Sequence, residues 1–237
     1  MNKTYNTAYG NVFFDLSADA IAVKMSGGYD SSVMLYALAH AINDTQQYHI
    51  NIRPVSVKKI GPKNDMKDMT KADPTPIVQR VIDFTRKSFP KVNIDNSRVY
   101  ELANWWDDNL YKLAQTSALE LLDTDISMVY NGITKNPTVQ LNGAWNEPDA
   151  MRDADATCTP AIENTVSVYE GSHAEPFRNA DKRIVFALAD QLEIVEDMMS
   201  MTWSCEGFGH MTDNFKKPCD TCWWCLEREW AYNTYNA

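Results

Sequence analysis

Apolar positions along the chain fall into short continuous runs that alternate with longer stretches of helical spacing. Residues 11–16 and 20–25 predict two strands, the second a nearly unbroken apolar run of the kind that is buried on both faces. Val33, Met34, Leu35, Leu38, Ala39 and Ile42 then predict an apolar helix over 31–42. Residues 49–57 read as the next strand, 58–73 as a loop, and Pro76 opens a helix running to about 89, since proline suits a first helical turn. Strand 97–102, helix 107–122 and strand 126–130 follow, the last ending at Asn131-Gly132.

The segment 135–164 is polar and punctuated by Pro137, Pro148 and Pro160, which predicts an irregular excursion able to cover a substrate pocket. Helices are expected at 181–192, at 194–201 and at 223–235, the last with its Glu and Arg residues on the exposed side. Repeated strand and helix units predict an α/β fold around a parallel sheet. Residues 1–200 would form this domain, and 201–237 a C-terminal segment packed on it.

A chain of 237 residues with 44% hydrophobic and 23% charged residues has the composition of a folded globular protein. Its net charge of −10 opposes bulk binding to a phosphate backbone, so a nucleotide partner would need a specific site. No apolar run is long enough to span a bilayer and the first residues lack signal-peptide features, which predicts no membrane association and a cytoplasmic location. Small-molecule partners are expected, with a homodimer left open. Lys58, Lys59, Lys63, Lys67 and Lys71 are interspersed with acids and read as a solvated face rather than a phosphate-gripping lid.

The chemistry begins between the second strand and the first helix. Ser26-Gly27-Gly28-Tyr29-Asp30-Ser31-Ser32 places a glycine pair where the backbone must turn sharply at the positive end of a helix dipole, a setting that binds phosphate oxygens. Ser26 and Ser31 can add hydroxyl donors, and Asp30 makes sense beside phosphates if Mg2+ lies between them. The loop is neither a Walker loop nor a dinucleotide-binding Gly-x-Gly-x-x-Gly.

A second constellation lies near the C-terminus. Cys219, Cys222 and Cys225 can converge, and Cys205 can fold back to complete four thiolates for tetrahedral Zn2+. His210 is an alternative ligand and an iron–sulfur cluster the main rival to zinc. Without an open coordination position such a zinc is structural. Cys158 is read as an incidental thiol rather than a nucleophile, and the pairs Trp105-Trp106 and Trp223-Trp224 as core aromatics rather than base-stacking platforms.

The run Ser26-Gly27-Gly28-Tyr29-Asp30-Ser31 resembles the pyrophosphate loop, Ser-Gly-Gly-x-Asp-Ser, of the ATP pyrophosphatase superfamily. Thr202-Trp203-Ser204-Cys205 followed by Cys-x-x-Cys-x-x-Cys is similar to the terminal zinc motif of its 7-cyano-7-deazaguanine synthases. Glu175-Pro176-Phe177 and Asp181-Lys182-Arg183-Ile184-Val185 resemble that family's proline, apolar residue and lysine before a helix. The family's Tyr-Gly-Gln-Arg-His and Asp-Tyr-Ser-Gly-Tyr-Pro-Asp-Cys-Arg stretches are absent; Asn131-Gly132 keeps a glycine after a strand, and Pro148-Asp149-Ala150-Met151-Arg152 is a remnant of the second stretch.

The resemblance implies an adenine nucleotide alpha hydrolase-like, Rossmann-like domain with ATP, Mg2+ and Zn2+. Met25, Ser26, Gly27, Gly28, Tyr29, Asp30, Ser31, Ser32 and Gly132 would bind the nucleotide. Ser26, Asp30 and Lys182 would serve the reaction, Lys182 by reaching the phosphates, and Cys205, Cys219, Cys222 and Cys225 would hold zinc. The activity implied is conversion of 7-carboxy-7-deazaguanine and ammonia to the nitrile through an adenylated carboxylate and an amide. The alternatives are another amide-forming ligase of the superfamily, a tRNA sulfur-transferase, or a nucleotide-binding module without turnover.

Overall fold

The computed structural model describes residues 1–60, 71–102, 126–141, 165–170 and 172–237. The expected helix 107–122, most of the excursion 135–164, Lys63, Lys67, Cys158 and the pair Trp105-Trp106 lie outside the described residues.

The chain runs β1 (Asn2–Thr7), β2 (Gly10–Asp15), β3 (Ala20–Lys24), α1 (Tyr29–Asp44), β4 (Asn51–Lys59), α2 (Thr75–Ser88), β5 (Asn93–Ile94) and β6 (Arg98–Leu102). It continues through β7 (Met128–Tyr130), β8 (Val168–Glu170), β9 (His173–Glu175), α3 (Arg183–Gln191), α4 (Val195–Met201) and α5 (Trp223–Thr234). The main sheet is ordered β5-β4-β3-β7-β9-β8, with β6 continuing the edge beside β4. Every pairing in it is parallel except β8 with β9. The fold is therefore α/β with a mostly parallel central sheet, as the alternation of strand and helix patterns implied.

Burial explains the elements. In β3, Ile21 and Val23 join the core beneath the helices, whereas Ala22 joins Val55 and Val129 in a smaller cluster on the other face. A strand covered on both sides needs apolar residues at every position, and β3 has them from Ala20 to Val23. Helix α1 is buried almost all round, because α2, α3 and α4 pack against it while β3 lies beneath. In α2 a single stripe, Val78, Val81, Ile82 and Thr85, turns inward, and Arg86 in its last turn donates to the Ile94 carbonyl at 2.9 and 2.6 Å.

The order of the strands decides where a ligand could sit. From β3 the chain winds outward through β4 to β5 and β6, then returns to place β7 on the opposite side of β3. The connections after β3 and β7 therefore diverge at the carboxyl ends of adjacent strands, where open α/β sheets leave a crevice.

Two hairpins were not expected from the pattern. The polar residues 2–7 form β1, which pairs antiparallel with β2 and sends Tyr5 inward; its hydroxyl donates to the Ala37 carbonyl at 3.2 Å and meets His40 Nδ1 at 2.7 Å. One aromatic in six residues leaves no alternation to read. The strands β8 and β9 have three residues each, too few for a period to emerge. Side chains of the sheet tie both hairpins in. The Tyr130 hydroxyl donates to Asp15 O at 2.9 Å and accepts from Asp15 N at 2.8 Å, while the Tyr169 hydroxyl donates to Phe13 O at 2.9 Å. Replacing Tyr130 by Phe keeps the buried ring and removes the first two bonds. Urea unfolding should then show a loss of about 1 kcal/mol, and an unchanged midpoint would mean that the β2 hairpin does not depend on these bonds.

Candidate functional site

The loop after β3 is built by backbone constraints. Met25 N donates to Val55 O at 2.8 Å, which keeps the chain in sheet register for one residue past β3. Gly27 then takes φ +78, a left-handed conformation that favours glycine, and Gly28 is the extended N-cap of α1. Ser26 and Ser31 close the turn: Ser26 N donates to Ser31 Oγ at 3.3 Å, Gly28 N donates to Ser26 Oγ at 3.2 Å, and the two hydroxyls lie 3.3 Å apart. Ser32 Oγ donates to Gly28 O at 2.8 Å. The side chains of Met25 and Tyr29 point into the core, Tyr29 stacking on Phe186 with ring centroids 4.1 Å apart, so these two residues offer a ligand only their backbone.

Gly132 reaches the same place from β7. A Cβ there would lie 3.0 Å from Ser31 N and 3.1 Å from the Asp30 carbonyl carbon, so the backbone after β7 presses directly on the first turn of α1. The residues expected at one binding site, from Met25 to Ser32 together with Gly132, are brought together at the divergence of the β3 and β7 connections.

Lys182 comes to this turn from the residue before α3. Its ammonium lies 3.0 Å from Asp30 Oδ2 and 2.9 Å from Glu227 Oε2, with only 2% of the side chain exposed. The expectation that the last helix turns its Glu and Arg outward needs correction. Glu227 is fully buried, and Arg228 folds inward to donate to Met199 O at 2.6 Å and Thr202 O at 3.2 Å; among the charged residues of α5, Glu229 is the exposed one. Burial pulls the proton affinity of Arg228 below its ordinary value, against the pull of Tyr29 and Cys225. Glu227 was missed because a glutamate on a surface helix carries no sign of its partner; its spacing of two residues after Cys225 is the one signal that placed it near the cluster.

The four expected cysteines also converge. Cys205, Cys219, Cys222 and Cys225 present sulfurs that all lie within 4.8 Å of one another, and Cys205 and Cys219 are 3.4 Å apart. A tetrahedral zinc with bonds of about 2.3 Å has sulfur–sulfur edges of about 3.8 Å, so the set fits such an ion. Backbone amides face the sulfurs: Gly207 N and Cys219 N donate to Cys205 Sγ at 3.2 and 3.3 Å, and Cys222 N to Cys219 Sγ at 3.3 Å. Hydrogen bonds from the neighbouring thiols of Cys205 and Cys225 draw the Cys222 thiol well below its usual range, and the same contacts push Cys205 and Cys225 up. The crowd favours one thiolate and resists the others until a cation compensates them. Cys222 is the N-cap of α5, whose dipole adds to that preference. The exposed His210 stacks beside Phe208 and is not part of the group. Trp223 is buried and meets Trp224 edge to face at 5.1 Å, a packing role.

Loop and cluster are joined by the backbone between them. Trp203 N donates to Gly27 O at 2.9 Å, and Tyr29 N donates to Ser204 Oγ at 3.2 Å, so the two residues before Cys205 hold the glycine turn. Of the lysines read as a solvated face, Lys71 departs from that reading. Its ammonium lies 3.1 Å from Glu206 Oε2 and over the Phe208 ring at 4.5 Å, with 8% of the side chain exposed. Lys59 also faces Glu206, at 3.5 Å, whereas Lys58 pairs with Asp73 at 2.9 Å.

Fold and site together define an α/β protein with a mostly parallel sheet, whose strand-end glycine turn adjoins four cysteines that could hold a metal ion such as zinc. The chain matches no protein-family model and no curated protein. Among the described residues no helix is long and apolar enough to cross a membrane.

Cys222→Ser should abolish bound metal in elemental analysis and lower the thermal midpoint by about 10 °C, the shift expected for a loss of about 3–4 kcal/mol in a chain of this size. A metal-free, equally stable variant would show that the cysteines are not a structural centre. Gly132→Ala should cost about 1–3 kcal/mol in chemical denaturation, because the three nearest atoms its Cβ would meet are all backbone.

Proposed function

We propose that the chain is an ATP-dependent carbon–nitrogen ligase of the 7-cyano-7-deazaguanine synthase type, converting a 7-deazaguanine carboxylate and ammonia to the nitrile. The observation that carries this reading is the meeting of the Ser26–Ser32 turn with Gly132 at the divergence of β3 and β7, at the N-terminus of a 16-residue helix. Such a terminus presents first-turn amides and the positive end of a dipole to phosphate oxygens, with Gly28 N and Tyr29 N here held by Ser26 Oγ and Ser204 Oγ. The bond from Ser204 to that turn supports the further comparison with the synthases, since it connects the turn to the four-cysteine segment that they resemble.

In this reading the turn holds the triphosphate, and the Ser26 and Ser31 hydroxyls exchange their bonds within the loop, to each other and from Ser31 Oγ to Gly28 O, for bonds to phosphate oxygens. Asp30 would hold Mg2+, which supplies positive charge to the leaving pyrophosphate. The substrate carboxylate attacks the α-phosphorus, the bond to the β-phosphate oxygen breaks, and pyrophosphate departs. Ammonia then displaces AMP from the acyl carbon and yields an amide. A second adenylation, on the amide oxygen, followed by loss of AMP and the nitrogen protons, leaves the nitrile. The turn and Lys182 act through placement and charge rather than as nucleophiles. Zinc at the cysteines would take no part in these steps and would hold the Trp203-Ser204 backbone against the turn.

Purified protein given ATP, Mg2+, ammonium and 7-carboxy-7-deazaguanine should release pyrophosphate and form the nitrile, detected by mass spectrometry. Ser26→Ala and Asp30→Asn should each lower pyrophosphate release at least about 100-fold while leaving the thermal midpoint within a few degrees. Full turnover by either variant would overturn the site assignment.

A further inference from the structure

We infer that Glu227 is a positioning residue through which the four-cysteine segment sets the charge at the glycine turn: it keeps the Lys182 ammonium compensated while Asp30 is drawn onto a divalent cation. This inference rests on the nucleotide reading above. Three elements meet at the Lys182 ammonium. Asp30 comes from the first turn of α1, Lys182 from the N-cap of α3, and Glu227 from the second turn of α5, two residues beyond Cys225.

The members differ in freedom. Side-chain exposure is 2% for Lys182, zero for Glu227 and 20% for Asp30, so Asp30 is the one placed to change partners. Its second oxygen, Oδ1, is buried and has no hydrogen-bond partner among the described residues, which leaves one carboxylate oxygen for a cation. The two carboxylates and one ammonium of the triad carry a formal charge of −1, which favours a cation over bare phosphate at Asp30 and is partly offset by the Arg228 guanidinium that also acts on Asp30. Were Asp30 the sole partner of Lys182, its transfer to a cation would strand a buried ammonium without a counter-charge, which low-dielectric surroundings strongly disfavour. Glu227 removes that cost, because Lys182 remains paired throughout. Since Cys222 caps α5 and Cys225 lies in its first turn, the cysteine cluster fixes where Glu227 stands.

Glu227→Gln preserves size and changes the formal charge of the triad from −1 to zero, leaving Asp30 as the remaining carboxylate of the triad. Calorimetric titration of ATP at a series of Mn2+ concentrations should show the Mn2+ needed for half-maximal binding rise at least about tenfold, the factor that one charge acting from about 12 Å at an effective dielectric of about 20 already supplies. Metal content at the cysteines, measured by elemental analysis, should stay at the wild-type value. Glu227→Asp keeps the charge and should restore most of the wild-type Mn2+ dependence, which a packing role would not predict. An unchanged Mn2+ dependence in Glu227→Gln, or the same tenfold rise in Glu227→Asp, would overturn the inference. Failure of the wild-type chain to bind ATP at any Mn2+ concentration would instead overturn the nucleotide reading.

Discussion

An ammonium withdrawn from water must be met by negative charge, and in this chain the need of Lys182 draws together three parts that are far apart in sequence. Asp30 at the head of α1, Lys182 at the head of α3 and Glu227 in α5 meet there, and Lys182 and Glu227 cannot be separated without leaving a buried charge poorly compensated. The triad is therefore a poor source of net stability and a strong source of register. It fixes the first turn of α1, and hence the glycine turn, against the C-terminal helix.

The four-cysteine group lies at the same N-terminal end of that helix as Glu227. Cys222 and Cys225 lie at the start of α5, Cys205 follows the strap Trp203-Ser204, and the strap is hydrogen-bonded to Gly27 and Tyr29. The turn is thus held from two directions, by backbone bonds from the strap and by charge from α5. Both lead back to the four cysteines, so a metal ion there would stiffen the turn without touching anything bound to it. The acidic balance of the chain fits this picture. The buried cations near the turn, Lys182 and Lys71, are answered by carboxylates at hydrogen-bonding distance, and attraction at the site is local.

Much of this was legible in local patterns. The apolar run 20–25, the helical spacing that follows it and the Gly-Gly pair between them report strand, helix and turn, because each depends on neighbours only a few residues away. The Cys-x-x-Cys-x-x-Cys spacing reports convergence of three sulfurs for the same reason. The hairpin β1–β2 and the short pair β8–β9 were not legible, since β1 buries one side chain and the others are too short to show a period.

The sequence by itself determined the parallel-sheet class, the turn after β3 and the set of four cysteines, all encoded in short windows of spacing and residue type. Only the tertiary structure decided that Gly132 lies against Ser31, that Ser204 receives the Tyr29 amide, and that Glu227 and Lys71 are inside rather than out. A charged side chain on a helix or loop looks the same in sequence whether it meets water or an opposite charge. Its fate is set by which distant segment the fold lays against it, and that information lies in packing rather than in any local pattern.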